Sequence, residues 1–446
     1  MKTRLWTEPG SGWEDRREVA KGELTGGWAS MGGLQIEVDP AEVGFDPARL
    51  ERIDRHFARY VDEQKLAGWL ITVARRGKLV HVSTCGERDL EAGLPVETDT
   101  LWRIFSMTKP VTSVAAMMLY EAGGFELTDP VSKYIRSFRD VRVFARGSDI
   151  SYTTVPATEP VRIWHLLSHT SGLTYGFMRN HPVDAIYRAR GYEWGSPRGA
   201  DLAACCEDFA SMPLLFQPGS EWSYSVATDV LGRVVEVVSG QRLDEFFATQ
   251  IFEPLGMTDS AFYVRAEDQP RLAALYTRSP QNGTAIRMDA MGNAALREPT
   301  FLSGGGGLVS TAADYNRFTQ MLLHRPDSPA GELDGVRLLN PRTVAYMASN
   351  HLPGNADLET FGRPLYAETN FAGVGFGLGF AVVIDSVANK SLSSTGEFNW
   401  GGAASTAFWV DPAEQVTATF FTQLMPSSAY PIRPQLRQLV YQALVS

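Results

Sequence analysis

Cysteine is scarce in this 446-residue chain: Cys85, Cys205 and Cys206 are too few for a disulfide framework, and the adjacent pair is poorly placed to bridge itself. Reduced thiols and a cytoplasmic setting are expected. No run of about 18 uncharged apolar residues occurs, so no membrane span is expected. Positive charge is not in excess either. With 41 Lys+Arg against 51 Asp+Glu the net charge is −10, which argues against nucleic acid or an anionic lipid surface as partner. Internal repeats and low-complexity tracts are missing too. What remains is an ordinary globular composition, 44% hydrophobic and 21% charged, long enough for two or three structural units.

Residues 1–33 carry Trp6, Trp13 and Trp28 among charged residues and lack the apolar core of a secretory signal. They read as a poorly ordered leader, with a second methionine at Met31. From Pro47 to Glu63, Leu50, Ile53, Phe57, Tyr60 and Val61 recur at helical spacing after an Asp46-Pro47 start. Trp69–Ala74 and Leu79–Thr84 then read as a hairpin. Further strand patterns come only near the C-terminus, at 379–385, 403–410 and 416–423, with a last helix over about 434–444. The middle is mostly helical in pattern. This predicts an α/β chain of the α+β type: an antiparallel sheet built from both chain ends and flanked by helices (34–125 and 300–446), plus an inserted, mostly helical domain (126–299).

The most informative segment is Phe105-Ser106-Met107-Thr108-Lys109-Pro110, followed by Val111, Val114, Ala115, Met118 and Leu119 at helical spacing and a Gly123-Gly124 stop. Ser106 is thereby placed at a helix N-terminus, where Pro110 is tolerated because the first N–H groups have no partner. Ser106 and Lys109 are three apart, on one helical face, with the amine in reach of the hydroxyl. A serine needs a base to become a nucleophile, and lysine serves when burial or nearby positive charge keeps it partly neutral. The positive helix end also favours an oxyanion at this point. A plain cap and a solvated lysine would satisfy the same four letters.

Further along, the turn Gln217–Val226 delivers Tyr224 just before a helix with Val230, Leu231, Val234, Val235 and Val238 on its apolar face. Ser106-x-x-Lys109, the stretch Val161–Leu173, this tyrosine turn, Ile251–Met257 and Trp400-Gly401-Gly402 occur in one order. That order resembles the serine β-lactamase and penicillin-binding-protein-like superfamily, and more narrowly the family VIII carboxylesterases, which are similar to class C β-lactamases. The resemblance runs from about residue 36 to the C-terminus. It implies a β-lactamase/transpeptidase-like fold with Ser106 as acylated nucleophile, Lys109 as its base partner and Tyr224 as proton relay. It also implies an oxyanion hole from the backbone N–H groups of Ser106 and Ala403, the latter on a strand edging the site.

Two departures from the resembled pattern bear on substrate. Val226 replaces the asparagine of the Y-x-N box, and Trp400 replaces the lysine of the K-T-G box. Val226, Trp400, Gly401 and Gly402 are thus expected to line an apolar substrate site suited to neutral esters. The expected activity is a serine carboxylesterase acting on short-chain acyl esters, with weak β-lactam opening. The alternatives are a class C-like β-lactamase or D-amino-acid peptidase-type amidohydrolase, and a scaffold that acylates without turnover. Small-molecule esters are the expected partners, with no cofactor; the oligomeric state is left open. His165 and His169 have i, i+4 spacing but lack the glutamate of H-E-x-x-H, so packing is preferred to zinc. Gly304–Gly307 is not followed by Gly-Lys-Ser/Thr, so it is read as an unusual backbone path near the site rather than a phosphate loop. G-x-S-x-G does not occur.

Overall fold

Asp46 and Pro47 open the first helix as their chemistry dictates. The Asp46 carboxylate accepts from the Arg49 backbone N–H, and Pro47 takes a first-turn position. In the computed structural model, which describes residues 34–365 and 369–445, this helix α1 spans Pro47–Asp62 and turns Leu50, Ile53 and Phe57 inward. The leader expected over residues 1–33 lies outside the described residues.

Strands β1 (Gly68–Arg75) and β2 (Lys78–Asp89) form the expected hairpin, and β3 (Leu94–Pro95) extends it. Helices α2 (Thr108–Glu121), α3 (Ala227–Ser239) and α4 (Ala312–Leu322) follow. The chain then returns to the sheet with β4 (Val374–Phe376), β5 (Ala381–Val383), β6 (Phe398–Gly401), β7 (Ala407–Asp411) and β8 (Val416–Phe421), and ends in α5 (Ile432–Tyr441). The strand order is β4-β5-β6-β7-β8-β1-β2-β3, antiparallel throughout. Leu70 of β1 faces Phe421 of β8, so both chain ends do build one sheet.

The sheet is covered on both faces, which explains why β1 is buried along its whole length. Trp69, Ile71, Val73, Trp409 and Phe420 pack with Phe57 of α1 and with Leu436 and Val440 of α5. Leu70, Phe408, Val410 and Phe421 belong to the larger core on the other side, with Met107, Val111 and Val114. Neighbouring residues alternate between the two cores as the pleat requires. Each large apolar side chain so buried stabilises by roughly 1.5–3 kcal/mol.

Two details differ from the sequence reading. The middle holds strands as well as helices, in the hairpins Arg142–Gly147 with Tyr152–Pro156 and Tyr276–Arg278 with Ala285–Arg287. The first of these is largely exposed, so no apolar alternation marks it. Ala403 to Thr406 form the turn between β6 and β7 rather than the start of a strand, with Ser405 at φ +65°. Helix α2 lies under the sheet and is buried from Thr108 to Met117, which fixes its first turn firmly in the core.

Candidate active site

The segment ahead of α2 is bent into place. Trp102 and Arg103 pair with Ser310 and Val309, and the buried Arg103 guanidinium donates to the carbonyls of Gly292 and Ala273. Burial pushes that guanidinium down to about 10. Phe105 then turns the chain at φ +42°, a left-handed value that costs a non-glycine residue about 1–3 kcal/mol. Ser106 follows in the single 3-10 turn Phe105–Met107, which runs directly into α2. The serine is therefore presented at a helix start.

Lys109, one turn on, is only 1% exposed. Its Nζ lies 3.4 Å from Ser106 Oγ and donates to the Tyr175 hydroxyl at 2.9 Å and the Gly305 carbonyl at 2.6 Å. It also sits over the Tyr224 ring, 4.4 Å from the centroid. Among the described residues no carboxylate forms an ion pair with it.

Tyr224 ends the turn ahead of α3, and Trp400 Nε1 donates to its hydroxyl at 3.4 Å, the two ring centroids being 5.3 Å apart. Trp400 and Gly401 close β6; Gly402 and Ala403 lie in the following turn. That turn presses on the segment that carries Ser106. A Cβ on Gly402 would fall 2.4 Å from the Ile104 carbonyl oxygen, so only glycine permits the approach, and Thr406 Oγ1 donates to the same carbonyl at 3.4 Å. Phe105 and Ala403 border one small cluster with Leu275, Ala404 and Met425. The backbone N–H groups of Ser106 and Ala403 have no acceptor among the described residues. Serine, lysine, tyrosine, tryptophan and turn thus come together. Val226 caps α3 and is buried in the larger core.

Tyr175 and Asp229 were not singled out by sequence. Tyr175 shares Lys109 Nζ with the Gly305 carbonyl, and the only signal for it is its place two residues beyond the Val161–Leu173 stretch. Burial, then the neighbouring Asp229 and Tyr224, push its hydroxyl well above the usual tyrosine range. Asp229, buried on α3, accepts from Gly305 N–H at 3.0 Å and from the Ser303 hydroxyl at 2.6 Å, holding the glycine loop whose carbonyl receives Lys109. Burial raises its carboxyl, with Lys109 opposing.

His165 and His169 serve separate purposes. His165 Nδ1 accepts from Arg162 N–H at the start of a short helix, and burial with the Arg162 charge holds the ring down to about 3. His169, at φ +56°, packs 5.1 Å from the Tyr224 ring and lies 3.1 Å from Ser225 Oγ through Nδ1. Burial, then Lys109, keep it well below the usual histidine range, hence neutral. A groove of about 500 Å³ lined by Phe252, Met257, Ser260, Tyr263 and Val309 contains none of these site residues.

The family model for beta-lactamase matches residues 53–442, nearly the whole described chain. The chain belongs to the beta-lactamase family. It is a serine hydrolase of that family. An uncharacterized protein of Mycobacterium tuberculosis is 37% identical over 82% of this chain and 88% of its own. Esterase EstB of Burkholderia gladioli is 32% identical, covering 91% of this chain and 98% of that protein. Among solved structures, EstCE1, described as a hydrolase with promiscuous acyltransferase activity, superposes at a TM-score of 0.72 with 27% identity, over 88% of this chain and 98% of its own. These likenesses agree with the family VIII carboxylesterase resemblance and with the α/β architecture. No helix among the described residues is long and apolar enough to cross a membrane.

Proposed function

We propose that this beta-lactamase family member is a carboxylesterase that hydrolyses short-chain acyl esters through an acyl-enzyme on Ser106, with slow β-lactam opening as a side reaction. The observation that carries the reading is the buried Lys109 amine, 3.4 Å from Ser106 Oγ and without an ion-pair partner among the described residues. The side chain is held by a carbonyl, a hydroxyl and a ring face within reach of the serine oxygen, which is the placement a base partner needs. Ser106 Oγ attacks the ester carbonyl carbon while its proton passes to Lys109 Nζ. The oxyanion is received by the N–H groups of Ser106 and Ala403, which form no other hydrogen bond among the described residues. Collapse breaks the C–O bond, and the departing alkoxide takes its proton from Lys109, with Tyr224 as the relay. Water then repeats the sequence on the acyl-enzyme and releases the acid.

Trp400 and Tyr224 make the surroundings apolar, which suits a neutral acyl group better than a carboxylate-bearing β-lactam. The name and likeness of esterase EstB support the same substrate class. Intact-mass analysis after an organophosphonate should show one adduct, mapped to Ser106, and Ser106→Ala should abolish both adduct and ester turnover. An adduct on another serine, or a wild-type preference for a chromogenic cephalosporin over p-nitrophenyl butyrate, would overturn the reading.

A further inference from the structure

Beyond the catalytic group lies a line of aromatic rings that the proposed reaction does not use. Tyr175 stacks on Phe177 with centroids 4.7 Å apart and planes 20° from parallel; Phe177 stacks on Trp194 at 4.5 Å and 11°. The stack starts at the hydroxyl that touches Lys109 Nζ and ends at an indole 50% exposed. Exposure increases outward, from half-buried Tyr175 and Phe177 to Trp194.

This end of the stack is built rather than loose. A Cβ on Gly176 would lie 2.4 Å from the Tyr192 carbonyl oxygen, so glycine lets the two loops meet and brings Phe177 under Trp194. Arg188 donates to the Gly176 carbonyl, and Arg179 pairs with Glu193 beside the indole. The ion pair is exposed and worth little alone; the ring stack and backbone contact fix the geometry. Single exposed hydrophobics are ordinary on protein surfaces. An indole held at the end of a stack that leads to the catalytic amine is a different case.

Chemistry decides which part of an ester would reach it. In the proposed reaction the carbonyl oxygen points to the N–H groups of Ser106 and Ala403, and the leaving oxygen must face the proton carried by Lys109 or Tyr224. Whatever is bonded to the leaving oxygen therefore departs past Tyr175. We propose that Tyr175, Phe177 and Trp194 form a binding platform for the alcohol portion of the substrate, and that this portion is planar and apolar, as in esters of aryl or fused-ring alcohols. Ring-on-ring contact rewards such a group beyond its buried area, whereas a short alkyl group gains little from it. Trp194 is then a specificity-determining residue. The inference rests on the esterase reading for its direction, and on the stack alone for the existence of the platform.

The test compares 2-naphthyl butyrate with ethyl butyrate on full-length protein, wild type against Trp194→Ala and Trp194→Phe. The ratio of kcat/KM for the two esters should fall about tenfold in Trp194→Ala, carried by KM, and recover mostly in Trp194→Phe. An unchanged ratio, or equal losses on both esters, would overturn the proposal. Direct titration of 2-naphthol into Ser106→Ala separates this from the esterase reading. Binding weakened by adding Trp194→Ala keeps the platform even if Ser106 proves not to be the nucleophile. Binding indifferent to Trp194 removes the platform even if Ser106 is the nucleophile.

Discussion

Lys109 and Arg437 are both buried cations, 1% and 7% exposed, on opposite sides of the sheet's C-terminal half, yet they are held in opposite ways. Arg437 of α5 donates to the fully buried Glu397 at 2.6 Å, and the Tyr441 hydroxyl lies within hydrogen-bond distance of both Glu397 and the buried Asp411. Its guanidinium also lies over the Trp409 ring. Lys109 meets a carbonyl, hydroxyls and ring faces, and Asp229 holds the Gly305 loop beside it while feeling its charge without an ion-pair contact. One cation is neutralised where it sits, and its job is to pin α5 to the sheet. The other forms no ion pair with a carboxylate among the described residues. A fold that can build a matched pair has put an unmatched basic side chain beside Ser106.

The contrast breaks most visibly if Lys109 is removed. Lys109→Met should lower kcat/KM for p-nitrophenyl butyrate by about 10³-fold or more in protein that still folds, with some loss of melting temperature because the buried Asp229 carboxyl loses the neighbouring Lys109 charge. Retained activity would return Lys109 to the structural class. Arg437→Met should do the reverse, costing about 3–5 kcal/mol in denaturant unfolding by leaving Glu397 uncompensated, with kcat per folded molecule unchanged. Adding Glu397→Gln should regain part of that stability. A smaller effect tests the holder of the Lys109 side chain: Tyr175→Phe deletes one hydrogen bond to Lys109 and should reduce kcat about tenfold.

The mildest case is an anion without a cation. Asp314, near the start of α4, accepts from Asp259 N–H and the Ser260 hydroxyl, and burial pushes its carboxyl up to about 6. A raised acid pKa means that the folded state prefers the neutral form. The stability this group contributes is present at low pH and is lost as pH rises through about 6. Asp314→Asn should therefore gain in melting temperature relative to wild type between pH 5 and 7, and a constant difference would show that Asp314 does not titrate there.

Legibility in the sequence followed the range of the interactions. Ser106 and Lys109 were readable because their relation is one helical turn, and α1, β1, β2 and α5 because burial imposes a period on consecutive residues. Tyr175 and Asp229 were not, since each is brought to Lys109 by a tertiary contact that leaves no spacing behind. The exposed hairpin 142–156 hid for a related reason: with little to bury, its side chains show no alternation. Ala403 is expected at the site by resemblance alone, and its turn geometry, with Ser405 in the left-handed region, reads as strand in the sequence because small residues and β-formers adjoin there.

The pairing of β1 with β8 has a consequence in time. Thr72 and Thr419 meet across 347 residues, and the turn after β6 reaches the Ile104 carbonyl across 302. At a synthesis rate of about 5–20 residues per second, Ser106 leaves the ribosome roughly 15–60 s before the turn that supplies Ala403. Until that turn arrives the serine has a helix start and a neighbouring amine but, in the proposed mechanism, only one of its two oxyanion donors. On that mechanism hydrolytic activity is a late event in the life of each chain, and its recovery during refolding should report closure of the last strands rather than formation of the helices.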